Sequence, residues 1–214
     1  MALVPERTVG RLSLYRRLLE RQRGSKEAFV YSHELAGMAC VTPAQVRRDL
    51  MAIGYSGSPN KGYRVADLVE AVGSVLDGDR LQRAALVGVG NLGRAILAYF
   101  GGRRPRLKIT AAFDTDSRKT DRVIGGCRCH GMETLESVVA EQGISVGIVC
   151  VPADSAQEAA DSLVAAGVGG VLNFAPVPLR VPAAVYLENR DMTTSLEKVA
   201  YFARQGGEDG DDDR

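Results

Sequence analysis

An α/β chain, with a Rossmann-type parallel sheet preceded by a small winged-helix (helix-turn-helix) domain, is the fold class this sequence predicts. Three observations carry it. From residue 84 onward, apolar runs alternate with amphipathic helical stretches, the rhythm of a parallel sheet covered on both faces. The first apolar run leads into Gly88-Val89-Gly90-Asn91-Leu92-Gly93, where a strand gives way to a helix. Before residue 78 the pattern is different: short helices, then a turn-rich hairpin.

The helices of the first part read in order. Val9, Leu12, Tyr15 and Leu19 recur at three- and four-residue spacing, widened by Leu14 and Leu18. Pro5 suits the first turn of that helix, and Arg23-Gly24 its end. Ser32 is the expected cap of a short helix with Leu35 and Met38 turned inward. Thr42 followed by Pro43 is a strong helix start, and Gln45 three residues on completes a capping box. Val46, Leu50 and Ile53 form its buried stripe, and Gly54 stops it. A tight turn at Ala39-Cys40-Val41 joins these two helices as in a helix-turn-helix, the second helix offering small residues with Arg47 and Arg48. Small residues allow close approach to a major groove, and arginines reach phosphates or guanine edges. Gly57, Pro59, Asn60 and Gly62 then turn a hairpin between two short strands, a wing with Lys61 near its tip facing a phosphate backbone. A helix over 65–77 closes the domain, placed at residues 1–78. The alternative for this part is a protein-contact or assembly module.

A linker near Gly78–Arg83 leads to the second domain, residues 84–190. Strands are expected at 84–88, 107–113, 146–151, 168–174 and 185–187, and helices at 91–100, 132–142 and 155–166. In the glycine loop, Gly88 permits a tight turn, Gly90 a close approach by a pyrophosphate, and Gly93 close packing of helix on strand. The helix start adds free amides and a favourable dipole for a diphosphate. Asp114 ends the second strand, where a carboxylate accepts ribose hydroxyls and repels a 2′-phosphate, favouring NAD and NADH. Val151-Pro152 and Asn173-Phe174 stand at later strand ends, where ligands of such sheets bind. A helix at 191–205 is a candidate swapping or dimer-interface element, and residues 206–214, with five acids against Arg214, read as a disordered tail.

Composition narrows the class. The 214 residues are 45% hydrophobic and 25% charged, which excludes a fibrous or wholly disordered chain. No apolar run is long enough to span a membrane, and the expectation is a cytoplasmic protein. Cys127, Cys129 and His130 read as a strand edge before a turn at Gly131 rather than a metal site, so no metal is expected. The basic excess over 1–77, 11 Lys and Arg against 8 Asp and Glu, permits a polyanion partner without demanding one. No separate substrate domain follows the sheet, neither histidine holds a persuasive acid–base position, and a Tyr-x-x-x-Lys pair is absent, so the expectation is a regulator and not an enzyme. A small NAD-dependent oxidoreductase with an N-terminal assembly domain is the alternative.

The combination resembles the Rex family of redox-sensing transcriptional repressors across residues 4 to 204. The marks are VPERTVGRLSLYRRLL, QVRRDL at 45–50, GY at 62–63, VGVGNLGRA at 87–95, AAFDTD at 111–116, LVAAGVGGVLNFAP at 163–176 and NRDM at 189–192. The resemblance implies a homodimer that binds double-stranded operator DNA when NADH is scarce and is released by NADH, with NAD⁺ competing. It assigns Gln45, Arg47, Arg48, Lys61 and Tyr63 to DNA, and Gly88, Val89, Gly90, Asn91, Leu92, Gly93, Asp114, Val151, Pro152, Asn173 and Phe174 to the cofactor. It also implies domain coupling through Arg17, Tyr99 and Asp191. The wing departs from the family's usual RGVGY, reading Pro59-Asn60-Lys61-Gly62-Tyr63, and Met192 stands where a Phe is common.

Overall fold

Residues three and four apart share a helix face, and in α1 (Glu6–Arg21) that face buries Thr8, Leu12, Tyr15, Arg16 and Leu19. Val9, expected in the stripe, lies on its margin and is exposed; Thr8 takes the buried place. The computed structural model describes residues 4–21, 28–58, 60–78, 80–102 and 106–208, so the Arg23-Gly24 helix end and Pro59 of the wing lie outside the described residues. The chain divides into two units, Met1–Arg80 and Leu81–Arg214.

In the first unit, α1 is followed by β1 (Phe29–Val30), α2 (Ser32–Ala39), α3 (Pro43–Ala52), β2 (Tyr63–Arg64) and α4 (Val65–Asp77). Their core joins Leu12, Tyr15, Leu19, Leu35, Val46, Leu50, Leu68 and Val72. Tyr31, not Ser32, occupies the cap position of α2, and its N–H is taken by the Glu34 carboxylate. Thr42 caps α3 as expected, its hydroxyl accepting from the Gln45 N–H at 3.2 Å. The Gln45 side chain does not return to the cap; it donates to Asp49 at 2.9 Å. The hairpin between two strands is reduced to a single bridge, Ser58 with Gly62, because β2 pairs antiparallel with β1 instead.

Asp49 is the hub of this unit. It is 1% exposed and accepts from Arg11 through both oxygens (2.6 and 2.7 Å), from the Tyr15 hydroxyl (2.9 Å), the Thr8 hydroxyl (3.2 Å) and Gln45. Burial alone would raise its pKa, but the donors from Arg11, Gln45 and Tyr15 outweigh it and hold the carboxyl below its ordinary value. A second charge pair, Arg16 to Asp77 at 2.7 Å, ties α1 to the end of α4.

The second unit contains β3 (Gln82–Val87), α5 (Asn91–Phe100), β4 (Leu107–Asp114), β5 (Val123–Ile124), β6 (Cys127–Gly131), a 3₁₀ turn (Met132–Thr134), α6 (Leu135–Gln142), β7 (Val146–Val149), α7 (Ala153–Ala165), β8 (Gly170–Asn173), β9 (Tyr186–Asn189) and α8 (Met192–Glu208). The sheet runs β5-β6-β4-β3-β7-β8-β9, all parallel except the β5–β6 hairpin. Without β5 this is the doubly wound order in which the chain reverses direction between its first and fourth strands. Alternation along β3 serves both faces: Ala85 and Val87 join Leu135, Val139, Ala160 and Leu163, while Ala84 and Leu86 join Ile96 and Leu97. Expected elements shift by one to three residues at their ends. Gln82 and Arg83 of the supposed linker belong to β3, and α8 continues to Glu208, three residues into the segment read as a disordered tail.

Removing Asp49 strands Arg11 and the Tyr15 hydroxyl. Asp49→Ala is expected to destabilise the first unit by about 3 kcal/mol, the low end for a broken buried pair because Arg11 is partly exposed. Its lowered pKa means that its contribution is complete above the ordinary carboxylate range and is lost as pH falls through the folded value. Denaturant unfolding of wild type and Asp49→Ala across acid pH checks both, the two curves converging at low pH.

Candidate functional site

Parallel strands end along one edge of a sheet, and the sequence places a turn with chemical content at four of those ends. After β3, Gly88 adopts φ +97°, a conformation costly for any side chain. A Cβ there would lie 2.5 Å from the Cys150 carbonyl, so β3 and the segment after β7 approach as closely as backbone permits. A Cβ on Gly93 would lie 2.1 Å from the Gly88 carbonyl, so α5 packs directly on the loop. Gly90 differs: it caps α5, and a Cβ there would meet nothing within 4 Å. Two glycines are thus required by the protein's own packing, and the third borders open space at a helix N-terminus, a geometry that fits a pyrophosphate. Asn91 is exposed in the first turn of α5, Leu92 is half-buried, and the Val89 side chain is wholly in the core.

Asp114 ends β4 beside this loop. Its Oδ2 accepts from the Val89 N–H at 2.8 Å and from Lys119 Nζ at 2.9 Å, and its Oδ1 accepts from the Asp116 N–H at 2.9 Å. Burial pushes its pKa up, but these donors outweigh it and the group is held ionised. The sequence treats Asp114 as an acceptor for ribose alone; the structure also makes it the anchor of the glycine loop. Arg118 grips Asp116 with two donors at 3.0 Å, holding that carboxyl down to about 2.

At the end of β7, Val151 is half-buried and Pro152 is exposed at the start of α7. At the end of β8 the two expected residues part. Asn173 is 1% exposed; its amide donates to the Val177 carbonyl and Asn189 Oδ1, both at 2.8 Å, and accepts from the Ala175 N–H at 2.9 Å. Its polar atoms are spent on shaping the turn. Phe174 lines a cavity of about 400 Å³ with Asn189, Arg190, Asp191, Met192 and Lys198. Asp191 caps α8, accepting from the Thr193 and Thr194 N–H groups and the Thr194 hydroxyl. Tyr99 is half-exposed on α5, edge-on to Phe100, and Arg17 is exposed on α1 of the other unit. Burial pushes the Cys127 thiol up to about 11 and Cys150 up to about 12, and Cys129 is also raised, so these thiols stay protonated at neutral pH.

In the first unit, α3 presents Arg48, which donates to the Ala44 carbonyl of its own helix at 3.5 Å, and Arg47, which donates to the Ser32 hydroxyl at 3.1 Å. Lys61 is exposed. Tyr63, assigned to DNA by resemblance, is 8% exposed: its ring lies against Gly57 and beside Tyr55, under the wing and not on it. Gln45 spends its amide on Asp49. Sequence reasoning missed Tyr31 and His33, whose exposed rings stack at 5.6 Å while the Tyr31 hydroxyl donates to the Asn60 carbonyl at 3.1 Å and steadies the wing. That contact spans 29 residues, so no local spacing announces it.

The three glycines separate by substitution. Gly93→Ala is expected to cost more than about 2 kcal/mol, since backbone must move to admit the methyl. Gly90→Ala is expected to cost under about 1 kcal/mol, the price of a poorer helix cap. Thermal unfolding of the two variants measures the difference.

Comparison with known proteins bears on both units. Residues 79–177 match the model of the CoA binding domain, and residues 3–50 that of the putative DNA-binding protein N-terminus. The redox-sensing transcriptional repressor Rex of Rhodopirellula baltica is 42% identical over 90% of this chain and 81% of its own length. That of Syntrophobacter fumaroxidans is 39% identical over 96% of this chain and 98% of its own. Among solved structures, the Rex-family repressor RSP in complex with β-NAD⁺ and operator DNA aligns with a TM-score of 0.86 at 33% identity, covering 97% of this chain and 95% of that one. RSP with β-NADH aligns at 0.82 and 32% identity, covering 97% of each chain. These relatives are described as transcriptional repressors, the reading preferred over the oxidoreductase alternative. Both units, the glycine loop and near full-length identity at this level therefore converge on one assignment: the chain belongs to the Rex family of redox-sensing transcriptional repressors.

Proposed function

We propose that this chain is a cytoplasmic, homodimeric repressor that binds double-stranded operator DNA through α3 and the wing and is released when NADH occupies the Gly88–Gly93 site, NAD⁺ competing for it. The observation that carries the reading is the pairing, in one chain, of an exposed Arg48 on a helix-turn-helix with a glycine loop open at Gly90. RSP, which is bound to β-NAD⁺ and operator DNA in one structure and to β-NADH in another, supports it. No helix among the described residues is long and apolar enough to cross a membrane.

On this reading each residue has a task. Arg48 and Arg47 contact the groove or its phosphates, Lys61 meets the backbone from the wing, and Gln45 and Tyr63 hold those groups in position. The α5 amides around Gly90, Asn91 and Leu92 receive the pyrophosphate, Asp114 accepts from the adenosine ribose, and Val151, Pro152 and Phe174 border the rest of the dinucleotide. The nicotinamide supplies the redox signal: its two oxidation states differ in charge and planarity, and a site that binds them unequally shifts a conformational equilibrium by that difference. Arg17, Tyr99 and Asp191 are the proposed coupling groups, Asp191 passing between partners. Homodimerisation is supported by α8, on which Met192, Leu196, Val199, Tyr201 and Phe202 are each at least 51% exposed, an apolar face that a second copy would cover.

Selection of genomic fragments by the purified protein, with NADH, NAD⁺ or neither, tests the whole reading. A palindromic site enriched without NADH and lost with it is the expected result; no enrichment under any condition refutes it. Arg48→Ala is expected to abolish operator binding while leaving NADH affinity intact in titration. Asp114→Ala is expected to weaken NADH more than tenfold, about 1.4 kcal/mol or more, since it removes both a ribose acceptor and the anchor of the loop.

A further inference from the structure

The outward face of α3 is fixed by what its inward face buries. Val46, Asp49 and Leu50 are buried, so the row Ala44, Arg48 and Met51, spaced by four and three residues, lies on the opposite side. Arg47 and Ala52 flank that row, and all five side chains are exposed. Met51 is 72% exposed, whereas the next most exposed large apolar side chain described in the first unit, Phe29, is at 47%. The apolar core of the unit takes Ile53 and Tyr55 from the same stretch of chain and leaves Met51 out. An apolar side chain so placed gains free energy only when something from outside the unit covers it.

We infer that Met51 is a specificity-determining residue of the DNA-reading face: it lies against the C5-methyl group of a thymine in the major groove and makes the operator preference of this chain depend on that methyl. The inference rests on the operator-binding reading of α3. The major groove offers a helix hydrogen-bonding edges and one apolar feature, the thymine methyl. Arg47 and Arg48 match the edges or the phosphates; Met51 matches the methyl. Its side chain is unbranched and polarisable, and it moulds to an irregular apolar surface. Ala44 and Ala52 are too small to hold the helix away from the bases. Arg48 and Met51 stand about 4.5 Å apart along the helix axis, little more than one base step of about 3.4 Å. The thymine therefore lies within about two base pairs of the Arg48 contact. The two arginines give the face the positive charge that suits a polyanion, and the single acid of α3, Asp49, is buried on the other side.

The test is selection of random-sequence duplexes by the full-length protein with NAD⁺, then titration of the enriched duplex with each thymine of one half-site replaced in turn by deoxyuridine, an exchange that removes only the methyl. In wild type, replacement at one position is expected to weaken binding about fourfold, the effect of losing one covered methyl group. In Met51→Ala the same replacement is expected to change nothing, and selection with that variant is expected to lose the thymine preference there. Met51→Leu, which returns a large apolar side chain, is expected to restore the dependence on the methyl. Folding is checked by circular dichroism, and should Met51→Ala bind no DNA, Met51→Gln carries the same expectation. Equal effects of deoxyuridine in wild type and variant at every thymine, with DNA still bound, overturn the role of Met51 and leave the operator-binding reading standing. Failure of the wild type to enrich any duplex overturns both.

Discussion

One hydrogen bond, from the Val89 N–H to the Asp114 carboxylate, joins the loop after β3 to the end of β4, and the nucleotide-binding side of the sheet is arranged around it. It holds in place the same loop that Gly88 bends and that Gly93 lets α5 press against. Together these contacts fix the direction of the α5 amides, and a helix N-terminus is useful to an anion only when its donors are already aimed. Asp114 has a structural duty as well as the binding one proposed for it, and its acceptor capacity is limited.

The first unit repeats the device. Asp49 lies on the inner side of α3 and collects donors from Thr8, Arg11, Tyr15 and Gln45. The outer side of the same helix carries Arg47 and Arg48. A buried carboxylate needs all its donors, since an ion taken out of water is costly unless paired and hydrogen-bonded. Satisfying Asp49 therefore clamps α3 against α1 and sets the angle at which the arginines leave the surface. Tyr31 does comparable work for the wing, where one backbone bridge among the described residues, Ser58 with Gly62, holds the turn.

Asn173 and Asp191 extend the pattern to the opposite end of the sheet. Asn173 spends its amide on the turn after β8, and Asp191 its carboxylate on the start of α8, and the cavity beside Phe174 lies between these two turns. Asn173, which the sequence reading assigned to the cofactor, and Asp191, which the resemblance assigned to domain coupling, here build the turns on either side of it. The amphipathic pattern of α8 is plain in the sequence, yet within this chain its apolar side chains remain exposed. It is the face that the proposed homodimer would cover.

Periodicity and glycine chemistry were legible from the residues alone. The βαβ alternation, the Thr42-Pro43 helix start and the Gly88–Gly93 loop are local patterns, and local patterns follow from backbone geometry within a turn or two. The same holds for Val46 and Leu50 of the buried stripe of α3, though Asp49 joins them and Ile53 lies half-buried just past the helix end, and for the helix at 65–77, which α4 matches end to end. The partners of polar side chains were not legible: Asp49 with Arg11, Tyr31 with Asn60 and Asp114 with Lys119 need the chain to be folded before the acceptor and donor meet. Nor was the pairing of β2 with β1, which reduced the expected hairpin to one bridge. The sequence by itself determined the main helices and the central strands of the sheet, and the glycine loop that leaves a helix N-terminus open. Only the tertiary structure decided which polar groups remain free to bind anything, because most buried donors and acceptors are first claimed by the protein, and what is left over is set by distances between residues remote in the chain.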